Sequence, residues 1–294
     1  MIKAAPMPYV ESWRLYAKCR FGQIHITAAE PTSNQPKTHS EEKPPLVCFH
    51  TSPLSGTEFK EFQHIMAEDR LVLCPDTPGF GRSDPPPHVP VIGDYSGAMA
   101  DMLEDLGYGA KGRGAVDVLG CRTGSLVAID LAATRPDLVR KVTLTCVALL
   151  DDAQRIDIRA QFGAKEPIFS DPQYMARSYR HYVLDGPIEV SEERRYEIFI
   201  ERLRAGSRSW WGPEAVVAYD AATRLKTLPH PTLLLVVKCL LAENTRRAAK
   251  LVTKPTVVDI ENQMTKIDGD TGTEPWSVQS PLLASKVRSF LDAH

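Results

Sequence analysis

The chain has 294 residues, a formal net charge of -2 and 24% charged residues, so it can bury a full core without disulfides and has no basic excess to hold nucleic acid. No apolar run approaches the roughly 20 residues that would span a bilayer, which speaks against a membrane protein of the helical kind. The opening stretch MIKAAPMPYVESWRLY lacks the apolar centre of a signal peptide, and the six cysteines stand singly with no C-x-x-C pair, so a reducing, cytoplasmic setting is expected.

In chain order, residues 13–19 and 23–28 flank Gly22 and predict an antiparallel hairpin at a sheet edge. Residues 30–45 are polar and proline-rich and predict a surface loop. From there on, short apolar runs alternate with amphipathic stretches. The runs are 46–49, 71–74, 115–119, 142–150, 232–237 and 255–260. The stretches of helical pattern are 58–68, 94–106, 125–134, 240–252 and 281–293. Near-continuous apolar strands between amphipathic helices predict an α/β protein: a mostly parallel twisted sheet with helices on both faces. Residues 151–226 break this rhythm. They are helical, charged and aromatic, and predict a helical cap inserted over the carboxyl edge of the sheet. The expected organisation is a core of residues 1–150 and 227–294 and a cap of residues 151–226.

The most informative local sequence is Val116-Asp117-Val118-Leu119-Gly120-Cys121-Arg122-Thr123-Gly124-Ser125. An apolar strand runs into a turn flanked by Gly120 and Gly124, and a helix follows at once. That pattern matches a nucleophile elbow, in which the middle residue is thrust out above a sheet. Here the middle residue is Arg122, whose guanidinium stays protonated and cannot attack a carbonyl as a serine does.

Three further signals lie in order along the chain: His50-Thr51-Ser52-Pro53 after a buried strand, the turn Asp76-Thr77-Pro78-Gly79-Phe80-Gly81-Arg82-Ser83-Asp84, and a last helix ending Phe290-Leu291. With the elbow, they resemble the α/β-hydrolase superfamily from about residue 11 to the end. The first is similar to that family's H-G-x-P oxyanion loop and the second to its D-x-P-G-x-G-x-S-D turn. The resemblance implies an α/β-hydrolase fold. The chain departs from the family's triad, however. Lys238-Cys239 follows the strand where the acid is usual, and no histidine lies between His230 and His294. The best match to the family's Gly-His step is Gly269-Asp270. Asp151-Asp152 sits at an alternative acid position. Loss of nucleophile or base costs a serine hydrolase about a millionfold in turnover, which makes hydrolysis by the family mechanism a poor expectation.

A cation at a helix start is opposed by the helix dipole, so Arg122 needs an anionic partner. Asp270, Asp151 and a substrate carboxylate or enolate are the candidates. The expected site therefore has Arg122 as anion binder, Asp270 as its partner or a general base, and His50 as a general base or a structural histidine. Ser52 and Thr123 would supply backbone donors and Thr51 a hydroxyl. Cys121 reads as a lining residue or as a buried core thiol, since elbow geometry turns the preceding side chain away from the cleft. Trp210 and Trp211 read as packing in the cap or as pocket lining. Neither a dinucleotide nor a metal is implied, because no G-x-G-x-x-G follows a strand and no H-E-x-x-H occurs.

The expected function is a cofactor-independent, non-serine reaction of lyase, decarboxylase, isomerase or cyclase type on a small organic acid or enolisable carbonyl compound. Two alternatives stand beside it: a non-catalytic protein that binds a ligand or partner, and an atypical hydrolase that activates water at Asp270 or an acidic residue of the cap. A small, anionic molecule is the expected partner.

Overall fold

The computed structural model describes residues 10–32, 43–162, 171–264 and 274–293. Strands β1 (Val10–Cys19) and β2 (Gly22–Pro31) form the edge hairpin. It closes at Gly22, whose φ of 124° suits glycine and whose missing Cβ leaves room for the Asp84 carboxylate. Six more strands follow: β3 (Leu46–Phe49), β4 (Val72–Pro75), β5 (Val116–Cys121), β6 (Val139–Thr145), β7 (Thr232–Val236) and β8 (Pro255–Asp259). The sheet order is β1-β2-β4-β3-β5-β6-β7-β8. β2 pairs antiparallel with β4, and β4 through β8 pair in parallel.

The helices are α1 (Lys60–Met66), α2 (Ile92–Asp105), α3 (Thr123–Thr134), α4 (Asp152–Phe162), α5 (Pro172–Tyr179), α6 (Glu192–Arg204), α7 (Trp211–Ala218), α8 (Ala221–Lys226), α9 (Ala242–Ala249), α10 (Glu274–Val278) and α11 (Ser280–Asp292). The continuous apolarity of the central strands follows from two covered faces. Val47, Phe49, Val116, Val118 and Leu144 pack with α2 and α3. Their neighbours Leu46, Cys48, Leu119, Cys121 and Leu235 pack with α1, α10 and α11. The two-residue period thus sorts alternate side chains to opposite faces, and neither face meets water.

The strand expected over residues 142–150 ends earlier, at Thr145. Cys146 takes a φ of 47°, which turns the chain out of the sheet. Beyond it, the Val147 N–H donates to Thr245 Oγ1 (3.0 Å) and Leu149 O accepts from Asn244 Nδ2 (2.8 Å). Residues 147–150 are apolar because they are buried under other elements, not because they pair as a strand.

Helices α4 to α8 occupy the interval between β6 and β7, and α7 and α8 pack on α3. Among the described residues, no helix is long and apolar enough to cross a membrane.

Candidate active site

The elbow between β5 and α3 is built as the sequence pattern requires. Arg122 lies between them with φ 52° and ψ -115°, a backbone conformation that side chains other than glycine rarely adopt. It is held there from several sides. The Arg122 carbonyl accepts the Ser125 N–H (3.0 Å) and the Ser125 hydroxyl (2.6 Å). A Cβ on Gly120 would overlap the Gly124 carbonyl, and one on Gly124 would overlap the Phe49 carbonyl at the end of β3. Two missing side chains therefore let β3, β5 and the start of α3 close on one another. Ser125 is fully buried and bonded to backbone, so its hydroxyl is a structural brace. Arg122 itself is half-buried.

The loop after β3 faces this elbow. Ser52-Pro53 is a cis bond. The Thr51 N–H donates to Glu58 Oε2 at 2.6 Å and the Thr51 hydroxyl donates to Glu58 Oε1 at 3.1 Å. Glu58 lies in a short 3-10 turn, Gly56–Phe59, and is only 1% exposed. Burial pushes its carboxyl up to about 7, against the opposing pull of the Thr51 hydrogen bonds and of the Arg122 and Arg194 charges. Glu58 is the residue that sequence reading passed over. An acid at the start of a helical stretch reads as an ordinary exposed dipole partner. Its position eight residues after His50, in the turn that follows the oxyanion-type loop, was the available signal.

His50 is fully buried with both ring nitrogens engaged: Nδ1 with the Thr51 carbonyl (3.0 Å) and Nε2 with the Thr77 N–H (2.8 Å). Burial lowers its pKa, so the ring is neutral, with Nδ1–H donating and Nε2 accepting. Such a ring ties the loop after β3 to the turn after β4 and has no nitrogen left for a proton from a ligand. The expectation of His50 as a base gives way to its structural alternative.

Cys121 is 1% exposed and lies on the α1 and α11 side of the sheet. A hydrogen bond with Cys146, together with burial, pushes its thiol well above the ordinary range. It does not line the site, because the two-residue alternation of β5 points it into the core. Asp151 accepts the Gln154 N–H (2.9 Å) at the start of α4 and pairs with Arg247 (3.4 Å), and Asp152 is exposed. Asp270 lies outside the described residues.

Thr123 opens α3 and is buried. Trp211 is half-buried, and its ring packs over Gly79 in the turn after β4. Trp210 is half-buried at the start of α7. Gly212, which follows Trp211, lies so close to Ser52 that a Cβ would overlap the serine side chain. The Ser52 hydroxyl is buried there and has no hydrogen-bond partner among the described residues. A second contact comes from α6, where Arg194 donates to the Thr57 carbonyl (2.7 Å) and pairs with Glu61 (2.9 Å). The helices between β6 and β7 therefore bear directly on the loop that carries Thr51 and Ser52.

The turn after β4 is fixed by a separate network. Asp76 accepts from His25 Nδ1 (2.9 Å), from the Gly56 N–H (2.8 Å) and from the Arg82 N–H (2.8 Å). Burial works to raise its pKa, but the His25 bond and the two backbone donors outweigh it and hold the carboxyl below its usual value. No group of three or more His, Cys, Asp or Glu suited to a metal ion occurs among the described residues.

Comparison with known proteins agrees with this construction. The family model described as the alpha/beta hydrolase fold matches residues 44–231. Among solved structures, a thermophilic esterase from Thermogutta terrifontis with malate bound superposes at a TM-score of 0.70, with 19% identity over 95% of this chain and 98% of that one. The enol-lactonase from Burkholderia xenovorans LB400 gives 0.68, with 16% identity over 95% and 100%. An esterase from Exiguobacterium antarcticum gives 0.73, with 14% identity over 96% and 100%. At such identities the likeness speaks for the fold alone. With the ordered strands, the glycine-flanked elbow and the family match over most of its length, this chain belongs to the α/β-hydrolase fold family.

Proposed function

We propose that this protein is a cofactor-independent enzyme of the α/β-hydrolase fold that works without a serine nucleophile. Its substrate would be a small organic acid or an enolisable carbonyl compound, and the reaction of lyase, decarboxylase, isomerase or cyclase type. One observation carries the reading: a guanidinium side chain occupies the apex of the elbow, on a backbone of φ 52° braced by its neighbours. A guanidinium does not form an ester or acyl intermediate, but its fork matches a carboxylate in bidentate fashion. The first turn of α3 adds N–H groups that lack an intrahelical acceptor, including that of Thr123. With the Ser52 N–H, these donors would hold a carboxylate in the ground state or an enolate as it forms.

Helices α4 to α8 would act as the cap over this site, with residues 1–150 and 227–294 as the core. Their contacts with Ser52 and Thr57 support that division. Trp210 and Trp211 would form part of the cap wall, and Asp270 would pair with Arg122 or take a proton. All six cysteines are free thiols, which suits a reducing, cytoplasmic setting.

A second reading, a ligand-binding protein without turnover, draws support from His50, whose two nitrogens are both engaged. One experiment separates the two. Small carboxylates, beginning with malate, are screened by thermal shift, and the hits are followed by NMR for product. The enzyme reading expects a saturable shift and product from the wild type, and neither from Arg122→Ala. Saturable binding with no product from any hit leaves the binding protein. Covalent capture of a serine by a fluorophosphonate probe, with turnover lost in step, contradicts both.

A further inference from the structure

We propose that Thr51 and Glu58 form a proton relay, in which the Thr51 hydroxyl carries a proton between a bound ligand and the buried Glu58 carboxylate. This rests on the reading above, in which Arg122 holds an anionic ligand at the elbow, and assigns the base that reading needs.

The geometry is specific. Both carboxylate oxygens of Glu58 face Thr51, one on its N–H and one on its hydroxyl. Glu58 is almost completely buried, so it cannot meet a ligand directly, whereas Thr51 is half-exposed on the loop facing the elbow. The hydroxyl is thus the route from the carboxylate to the cleft. The charged groups that act on Glu58 are Arg122 from the elbow and Arg194 from α6, and the Glu58 charge in turn helps to raise the Cys121 thiol. Arg194 is shared with Glu61 and Glu197, so its charge is not given to Glu58 alone. The buried carboxyl, with an affinity for protons near neutrality, suits a base that must both take and return a proton at physiological pH.

The step balances as follows. The C–H bond next to the ligand carbonyl breaks, and its electron pair becomes the enolate, held by Arg122 and the loop donors. The proton goes to Thr51 Oγ as the hydroxyl's own proton passes to Glu58 Oε1. Glu58 becomes the neutral acid, and reversal returns the proton to carbon or to another atom of the ligand. Thr51 is the catalytic residue of this pair, since it touches the ligand, and Glu58 acts through it.

Two measurements test the relay. The first is the infrared difference between wild type and Glu58→Gln across pH. A protonated carboxyl band is expected at pH 6, fading around pH 7. In Thr51→Val the fading moves to higher pH, because the ionised form loses a donor. The second follows exchange of the methyl protons of pyruvate in D2O by NMR. Exchange is expected from the wild type, with a fall on the order of 100-fold in Glu58→Gln and in Thr51→Val and partial recovery in Thr51→Ser. Pyruvate binding, read by thermal shift, is retained in Glu58→Gln and lost in Arg122→Ala. A Glu58 that stays ionised at pH 5, a band unmoved by Thr51→Val, or exchange at the wild-type rate in Glu58→Gln overturns the relay. So does a wild type that binds pyruvate through Arg122 and exchanges nothing. Loss of Arg122-dependent binding, by contrast, overturns the reading on which the relay rests.

Discussion

Two buried carboxyl groups stand on neighbouring loops at the same edge of the sheet, and they differ in what surrounds them. Asp76 is met by three donors from three parts of the chain and is held in the charged form. Glu58 is met by two donors from one residue, with the Arg122 and Arg194 charges also acting on it, and is pushed towards the neutral form. Burial opposes the charge in both; Asp76 has three donors and Glu58 two, and the number of donors separates the outcomes. Asp76 can therefore serve as a fixed post for the turn after β4. Glu58 keeps a protonation equilibrium, and keeps it beside the elbow.

The contrast can be broken most severely by removing one charge at a time. Asp76→Asn replaces an acceptor by an amide among donors, and is expected to cost about 3 kcal/mol in urea denaturation at pH 7. Glu58→Gln should behave in the opposite way. A carboxyl raised from 4.5 to about 7 on folding binds its proton more tightly in the folded state. Its contribution to stability is full below pH 4.5 and is lost as pH rises through 7, in total about 3 kcal/mol. Glu58→Gln should thus match wild type near pH 4.5 and exceed its stability at pH 8. A variant less stable than wild type at pH 8 would place Glu58 in the same class as Asp76.

A smaller effect sharpens the elbow. Glycine accepts the conformation at residue 122 without strain, and alanine does not. Arg122→Gly is expected to be more stable than Arg122→Ala by about 1 kcal/mol in the same denaturation assay. Equal stability would mean that the backbone there relaxes once the arginine is gone.

Much of this was legible in the chain, and the parts that were not have physical causes. The strands could be found because both sheet faces are covered, which leaves unbroken apolar runs such as Leu46-Val47-Cys48-Phe49. The elbow could be found because close packing of β3, β5 and α3 forbids side chains at Gly120 and Gly124. The apolar run from residue 142 outlasts its strand, since apolarity reports burial and does not separate a strand from a packed loop. His50 was legible as part of a motif but not in its role, which depends on the Thr77 N–H brought from another strand end. Cys121 fits either role in the sequence, and the pleat of β5 gives its direction. Glu58 was hidden for the same kind of reason as His50. Nothing in Ser55-Gly56-Thr57-Glu58-Phe59 states that the acid is enclosed, and that follows only when the loop carrying Thr51 and helix α6 close around it.

In the proposed function the positive side chain at the apex of the elbow binds the ligand's anion. Calorimetric titration of the best-binding carboxylate into wild type, Arg122→Lys and Arg122→Ala tests it most directly. Affinity is expected to fall about 30-fold or more in Arg122→Ala, which is about 2 kcal/mol, and to take an intermediate value in Arg122→Lys, which keeps the charge but loses the fork. Equal affinity in all three proteins would contradict it.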